Sequence, residues 1–289
     1  MTETTRLAVI GGSGLYGLSA LHHTRSIDVD TPYGPTSAPI LVGDLDGQRI
    51  AFLARHGIGH RLSPTEVPYR ANVFALKSLG VERVIGVSAC GSLREELVPG
   101  EIVIPDQLCD YTKDRTRTFF GKGVVAHIST PDPFCPVLAG RLEEAVRASG
   151  GIAHRGGALI TIEGPRFSTR AESELFRNWG MSIIGMTSAP EAFLAREAEI
   201  CYAVMAHVTD YDVWHQSAAP VTVGAVVQIL DRNTSLAQQA IRKVLQTLPA
   251  ERTCDCPNAL SGAIITRPDA LSPETLAELG PLVSKYIPQ

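Results

Sequence analysis

No stretch of this 289-residue chain approaches the roughly 18 consecutive apolar residues of a membrane-spanning helix, so no span is expected. A basic excess is also missing. Lys and Arg number 26 against 30 Asp and Glu, a net charge of −4. The salt-dependent phosphate contacts of a nucleic-acid protein therefore have no electrostatic basis. Cysteine is sparse, at 6, too few for a disulfide framework in a chain this long. The opening residues, Met1-Thr-Glu-Thr-Thr-Arg6, lack a basic region followed by a long apolar one, so no signal peptide is read and the cytoplasm is the expected compartment. No internal repeat and no low-complexity tract breaks the sequence. Present instead are 44% apolar and 19% charged residues, enough for a sizeable core and unlike a disordered or collagen-like chain.

Short β-branched runs alternate with longer amphipathic ones. Strands are expected at Leu7–Ile10, Ile50–Leu53, Val84–Ser88, Ile102–Ile104, Ala158–Ile162, Ile183–Met186 and Cys201–Val208. Helices are expected at Tyr69–Leu79, Pro136–Ser149, Arg170–Trp179, Glu191–Ala198 and Val223–Leu248, with a helical tail around Pro273–Val283. This alternation predicts an α/β fold, a single domain spanning 1–289 whose central mixed sheet is flanked by helices. Thr169-Arg-Ala-Glu172 has the spacing of a capping box, Thr222 can cap the long helix, and Gly80 would close the first. The polar, basic segment from Asp110 to His127 is long enough to be a lid, a partner contact or a mobile loop.

Four cysteines (Cys90, Cys109, Cys135 and Cys201) are scattered in apolar surroundings and read as buried thiols. Cys254-Asp255-Cys256, beside Pro257, differs. It could be a strained local disulfide, half of a soft-metal site or a redox-labile surface pair. No second Cys/His pair with structural-zinc spacing appears, so no metal is expected.

Three strand ends carry anion-friendly residues. Gly12, Gly14 and Gly17 match GxGxxG after the first strand, with Asp28 and Asp30 downstream. This pattern fits an NAD(P)-dependent oxidoreductase, yet no strongly periodic helix opens on the third glycine. The glycines and Ser13 fit equally a nest of backbone N–H groups around an anion. Arg55 and His56 follow the second expected strand, where a guanidinium fork suits phosphate oxygens. Ser88-Ala-Cys-Gly-Ser92 ends the third with small residues that let a ligand approach the backbone. Asp210 and Asp212, two apart at the end of the most apolar strand, would point to one face of an extended chain. They could hold a divalent metal, cap a helix, or recognise a base through its amine and ring nitrogen.

Taken together, Ile10-Gly-Gly-Ser-Gly14, Leu53-Ala-Arg-His-Gly57, Ser88–Glu96, Pro99–Ile104, Ile162-Glu-Gly-Pro-Arg-Phe-Ser168, Arg170–Ser173, Met186-Thr187, Ala189-Pro-Glu191 and Thr209-Asp-Tyr-Asp212 resemble the trimeric purine nucleoside phosphorylase family. The likeness runs from about residue 7 to about 230, and is greatest to the branch that acts on 5′-methylthioadenosine. The tail beyond about 250 is not matched, and its Cys-x-Cys is similar to some members only, chiefly thermophilic ones.

The resemblance implies phosphorolysis of methylthioadenosine in methionine and polyamine salvage. Phosphate would be a co-substrate, no cofactor would be needed, and the assembly would be a homotrimer. It implies a phosphate site of Ser13, Arg55, His56, Ser88, the Ala89 backbone and Thr187. Met186 would lie against the ribose, Phe167 and Ser168 at the purine, and Asp210 and Asp212 on purine N7 and the N6 amine. Asp210 would be the catalytic acid, its pKa raised by burial and by the charge of Asp212. Val223 and Val226 would shape the alkylthio pocket, and His127 would reach a neighbouring subunit's site. Relatives for 6-oxopurines carry Glu and Asn where this chain has Ser168 and Asp210, so an adenine nucleoside is expected; the alternative is a 6-oxopurine substrate such as methylthioinosine.

Overall fold

The alternating runs form eleven strands and six α-helices over the residues that the computed structural model describes, 5–11, 21–215 and 222–287. The strands are β1 (Leu7–Gly11), β2 (His22–Ile27), β3 (Ile40–Leu45), β4 (Gln48–Ala54), β5 (Arg83–Ser92), β6 (Ile102–Ile104), β7 (Gln107–Tyr111), β8 (Ala153–Arg155), β9 (Ala158–Ile162), β10 (Ile183–Gly185) and β11 (Cys201–Asp210). The helices are α1 (Tyr69–Ser78), α2 (Pro136–Ala148), α3 (Arg170–Asn178), α4 (Ser188–Glu197), α5 (Val223–Thr247) and α6 (Pro273–Leu279). They make one mixed sheet flanked by helices.

The sheet runs β2-β3-β4-β1-β5-β10-β9-β7, while β11 lies on the other edge of β5 and carries β6 and then β8. Strand β11 is buried along its length, as a central strand covered on both faces must be. Its residues alternate between two apolar clusters. Tyr202, Val204, Ala206 and Val208 join α1 and α4 residues such as Phe74 and Leu194 on one face. Ala203 and Met205 join Leu142 of α2 and Ile241 of α5 on the other. A smaller cluster around Phe176 seats α3 over β9 and β10.

Local signals explain several boundaries. Thr169 and Glu172 form the expected capping box at α3. Gly80, at φ +79°, takes the left-handed conformation after α1, donating to the Lys77 carbonyl at 3.0 Å. Helix α4 differs from expectation. It opens at Ser188 rather than Glu191, but Ala189 inside it has extended dihedrals, so the regular turns begin later.

Four strands went unexpected. Every residue of β2 except the last is exposed, so no apolar face marks it. Gly43 interrupts β3, and β8 is only three residues long. Strand β7 alternates weakly and gains its identity from parallel pairing with β9. The basic segment after it is no open lid. Phe119 and Phe120 are buried in the core, and Arg115 is buried in a web of hydrogen bonds.

Candidate active site

Strand β5 has one edge fully occupied, by β11 from Arg83 to Gly91. Its other edge is shared. Strand β1 pairs with it only as far as Gly86, and β10 takes over at Gly91 and Ser92, running antiparallel. Between these partners the sheet opens at Val87–Cys90. That opening leads into a cavity of about 340 Å³, lined by the ends of β5, β10 and β11 and by α5. The backbone of Ala89 is open to the cavity here because, among the described residues, no strand pairs with that edge.

The anion-binding candidates converge at this opening. The Ser88 and Thr187 hydroxyls, 99 residues apart in sequence, are 3.2 Å from each other. Arg55 is buried, and its guanidinium is largely engaged: Nε and Nη2 each donate to Glu191 at 2.9 Å, Nη1 donates to the Val87 carbonyl at 2.9 Å, and Nη2 also reaches the Ile10 carbonyl at 3.2 Å. Of the five N–H donors an arginine carries, one on Nη1 has no partner among the described residues. Burial works against the charged guanidinium, and the Glu191 carboxylate outweighs it, so the arginine stays charged.

His56 is oriented by a backbone carbonyl. Its Nδ1 is 2.9 Å from the Leu62 carbonyl, which only accepts, so Nδ1 carries the proton. Burial, with Arg55 beside it, pushes the imidazole down to about 4, leaving it neutral. Nε2 is then an acceptor, suited to a protonated phosphate oxygen. The ring stacks on His60 with centroids 4.3 Å apart.

At the other end of the cavity the two aspartates converge, but not through the strand's pleat. Asp210 ends β11 after a bulge, and Asp212 lies in the following turn at φ +52°. The Asp212 N–H donates to Asp210 Oδ1 at 2.8 Å, and the Thr209 hydroxyl to Oδ2 at 2.7 Å. Burial raises the Asp210 pKa, and these two donors hold it back; the charge of Asp212 is not among the causes. Burial also raises Asp212, with the nearby Ser173 hydroxyl opposing and the Asp210 charge adding. Asp212 Oδ2 and the Ser168 and Ser173 hydroxyls are buried with no hydrogen bond among the described residues. Asp212 and Ser168 line the cavity, and unsatisfied buried polar atoms there mark where a polar ligand would complete them.

Phe167 is 39% exposed and lines the same end. Met186 and α5 residues Val223 and Val226 line the walls between. Val223 remains 69% exposed, so this wall is open in the isolated chain. His127 is exposed and does not line the cavity of its own chain; its N–H donates to the Ala263 carbonyl at 2.9 Å. Ser13, with Gly12, Gly14 and Gly17, falls outside the described residues. From His22 the chain forms β2, antiparallel to β3, where a dinucleotide fold would still be in its first helix.

Three contributors were not expected. Glu191 fixes Arg55 and accepts from the Tyr202 hydroxyl at 2.5 Å. Arg115 donates to the Met186 carbonyl at 2.6 Å, the Ala189 carbonyl at 2.8 Å and the Glu163 carbonyl at 2.7 Å, tying the loops that carry Met186 and Phe167. His207 lines the cavity with both ring nitrogens buried and without a hydrogen bond among the described residues, and burial pushes its pKa down to about 4.

A Phosphorylase superfamily model matches residues 6–246, and the chain belongs to that superfamily. Several curated relatives carry one specific name. The S-methyl-5′-thioadenosine phosphorylase of Geobacter sulfurreducens is 53% identical over 282 residues, 97% of this chain and 99% of that protein. A crystal structure of methylthioadenosine phosphorylase from an antarctic soil metagenomic library superposes with a TM-score of 0.93 at 47% identity, covering 97% of this chain and 99% of that one. The methylthioadenosine phosphorylase of Schistosoma mansoni in complex with adenine gives a TM-score of 0.85 at 33% identity, covering 92% and 99%.

Proposed function

We propose that the chain cleaves S-methyl-5′-thioadenosine with inorganic phosphate, releasing adenine and 5-methylthio-α-D-ribose 1-phosphate. It acts as a cytoplasmic homotrimer without metal or organic cofactor in the reaction. One observation carries the reading: a single cavity is lined by paired hydroxyls, a guanidinium and two aspartates, one buried and one half-buried. That combination suits a nucleoside and a phosphate held together in one site.

Breaking the N-glycosidic bond builds positive charge on the ribose and negative charge on the departing base. Asp210, its protonated form favoured by burial, donates to purine N7 and supports the leaving group. The carboxylate of Asp212 accepts from the exocyclic N6 amine, which hypoxanthine and guanine lack at that position. Arg55, His56, Ser88, Thr187 and the Ala89 backbone, with Ser13, orient the phosphate for attack on the anomeric carbon. Met186 covers the ribose, with Phe167 and Ser168 at the base.

Val223 and Val226 give the 5′ substituent an apolar wall. Such a pocket prefers methylthio over hydroxyl by roughly 1–3 kcal/mol, so adenosine is a slower substrate. In the trimer a neighbour's His127 region meets the open α5 wall.

A panel of nucleosides assayed with and without phosphate tests the reading. Adenine should appear from methylthioadenosine only when phosphate is present, with no change in nicotinamide absorbance. Phosphorolysis of methylthioinosine or inosine at an equal rate would overturn the adenine assignment.

A further inference from the structure

The cysteines that look scattered in sequence are gathered by the fold. Cys135, Cys201, Cys254 and Cys256 place their four sulfur atoms within 4.8 Å of one another. They come from three places: Cys135 precedes α2, Cys201 opens β11, and Cys254 and Cys256 lie in the tail after α5. Cys135, Cys201 and Cys256 are buried, and Cys254 is partly exposed. The cluster lies outside the active cavity and shares no lining residue with it.

We propose that these four residues form a structural tetrathiolate zinc site. Zinc bound at about 2.3 Å by four thiolates sets the sulfurs about 3.8 Å apart, edge to edge of a tetrahedron. The sulfurs of Cys201 and Cys254, at 3.4 Å, are near that spacing and well outside the bonding distance of a disulfide, about 2.05 Å. Two chelating residues on one short turn and two on rigid elements are a donor set suited to a closed site. Four soft ligands in tetrahedral array select zinc over oxygen-loving divalent ions.

The surroundings suit the charge. Four thiols lose four protons to solvent on binding one Zn²⁺, leaving a centre of net charge −2. Cys135 caps the N-terminus of the 13-residue helix α2, where its sulfur accepts from the Leu138 N–H at 3.5 Å. That end of a helix favours an anionic sulfur. Arg196 Nη1 donates to the Cys256 sulfur at 3.4 Å. Arg83, Arg141 and Arg252 line the small cavity against Cys135, Cys201 and Cys254. The sequence pattern missed the site because its second pair of ligands is split between residues 135 and 201, with no common spacing motif.

The metal would rivet the tail to the sheet. From Cys254 the chain continues to the segment that bridges Ala126 through Ile264 and buries Leu260, Leu282 and Ile287 in the core. The test is the metal content of the purified full-length protein, expressed with zinc and passed through a chelator-containing column. One zinc per chain is expected, released in step with thiol modification by a mercurial. Cobalt exchanged into the site should show the visible bands of a tetrahedral thiolate complex.

Cys254→Ser, at the partly exposed ligand, should cut zinc retention at least tenfold and lower Tm, while Cys109→Ser keeps the zinc. Should Cys254→Ser fail to fold, cobalt spectra of the intact protein decide alone. The assignment is overturned by four freely titrating thiols with no metal. It is equally overturned by an intact mass showing the hydrogens lost to disulfides, or by iron in place of zinc.

Discussion

At the scale of single residues, the site rests on carboxyls whose protonation burial controls. Asp210 is held in place by the Thr209 hydroxyl and the Asp212 N–H, so Asp210→Asn keeps the shape while removing the proton to donate. Its kcat should fall about 10²–10⁴-fold, the usual contribution of a general acid. Wild-type activity should decline as pH rises through the raised pKa of Asp210, and a pH–rate profile of the variant without that limb checks the assignment. Arg55 behaves differently from a free phosphate fork. Arg55→Ala would strand the Glu191 carboxylate in the core, and breaking a buried pair from one side costs about 3–5 kcal/mol. Chemical denaturation should therefore show Arg55→Ala strongly destabilised, in addition to weaker phosphate saturation. The Arg-His dipeptide and the two aspartates were legible in the sequence because each pair is local. Glu191 was not, since 136 residues separate it from Arg55 and only the fold joins them. His207 was hidden for another reason: a histidine inside an apolar strand gives no sign of whether its nitrogens find partners.

At the scale of elements, the site exists because β5 changes partner along one edge. Gly91, where β10 takes over, has no room for a side chain. A Cβ there would lie 2.9 Å from Asp210 Oδ1 and 3.0 Å from Ile184 Cγ2. Gly91→Ala should displace the Asp210 carboxyl and lower kcat at least tenfold with the fold intact, because a misplacement of about 1 Å can cost about 10²-fold. Unchanged kcat with native circular dichroism would count against the tight approach. The strands that formed this frame were legible where both faces are buried, as in β1, β5 and β11, because continuous apolar runs have no other use. Strands β2, β3, β7 and β8 were not, since their identity comes from edge pairing and not from an apolar pattern. Helices announced themselves by caps, Thr169 with Glu172 and Gly80, which are local chemistry. The Asp110–His127 segment misled through its charge. Arg115 looks solvent-directed in sequence, yet Glu163 and the carbonyls of Met186 and Ala189 satisfy it internally.

At the scale of the whole molecule, buried titratable groups with opposite effects share the core. Burial pushes His207 down to about 4 from 6.5, so the unfolded chain binds a proton more readily than the folded one. As pH falls from 6.5 to about 4, stability should be lost, by up to about 3 kcal/mol. His56 adds a loss of the same sign. Glu197 works the other way. Burial pushes its carboxyl up to about 7 from 4.5, although the Thr118 hydroxyl donates to it at 2.6 Å and the Phe119 N–H at 2.7 Å. The folded chain takes that proton first, so stability rises as pH falls from about 7 to 4.5, again by up to about 3 kcal/mol. The raised Asp210 and Asp212 act with Glu197. The two sets oppose each other between about pH 6.5 and 4.5, so the wild-type unfolding free energy should change less there than the histidines alone would make it. Single substitutions separate them. Glu197→Gln removes the main rise and should make stability fall more steeply on acidification than in the wild type, whereas His207→Met removes one of the two histidine losses and should make it fall less or climb. Urea unfolding at a fixed chain concentration, run from pH 7 to 4.5 on all three proteins, measures the slopes. Parallel profiles would mean that neither group titrates in the buried state assigned to it.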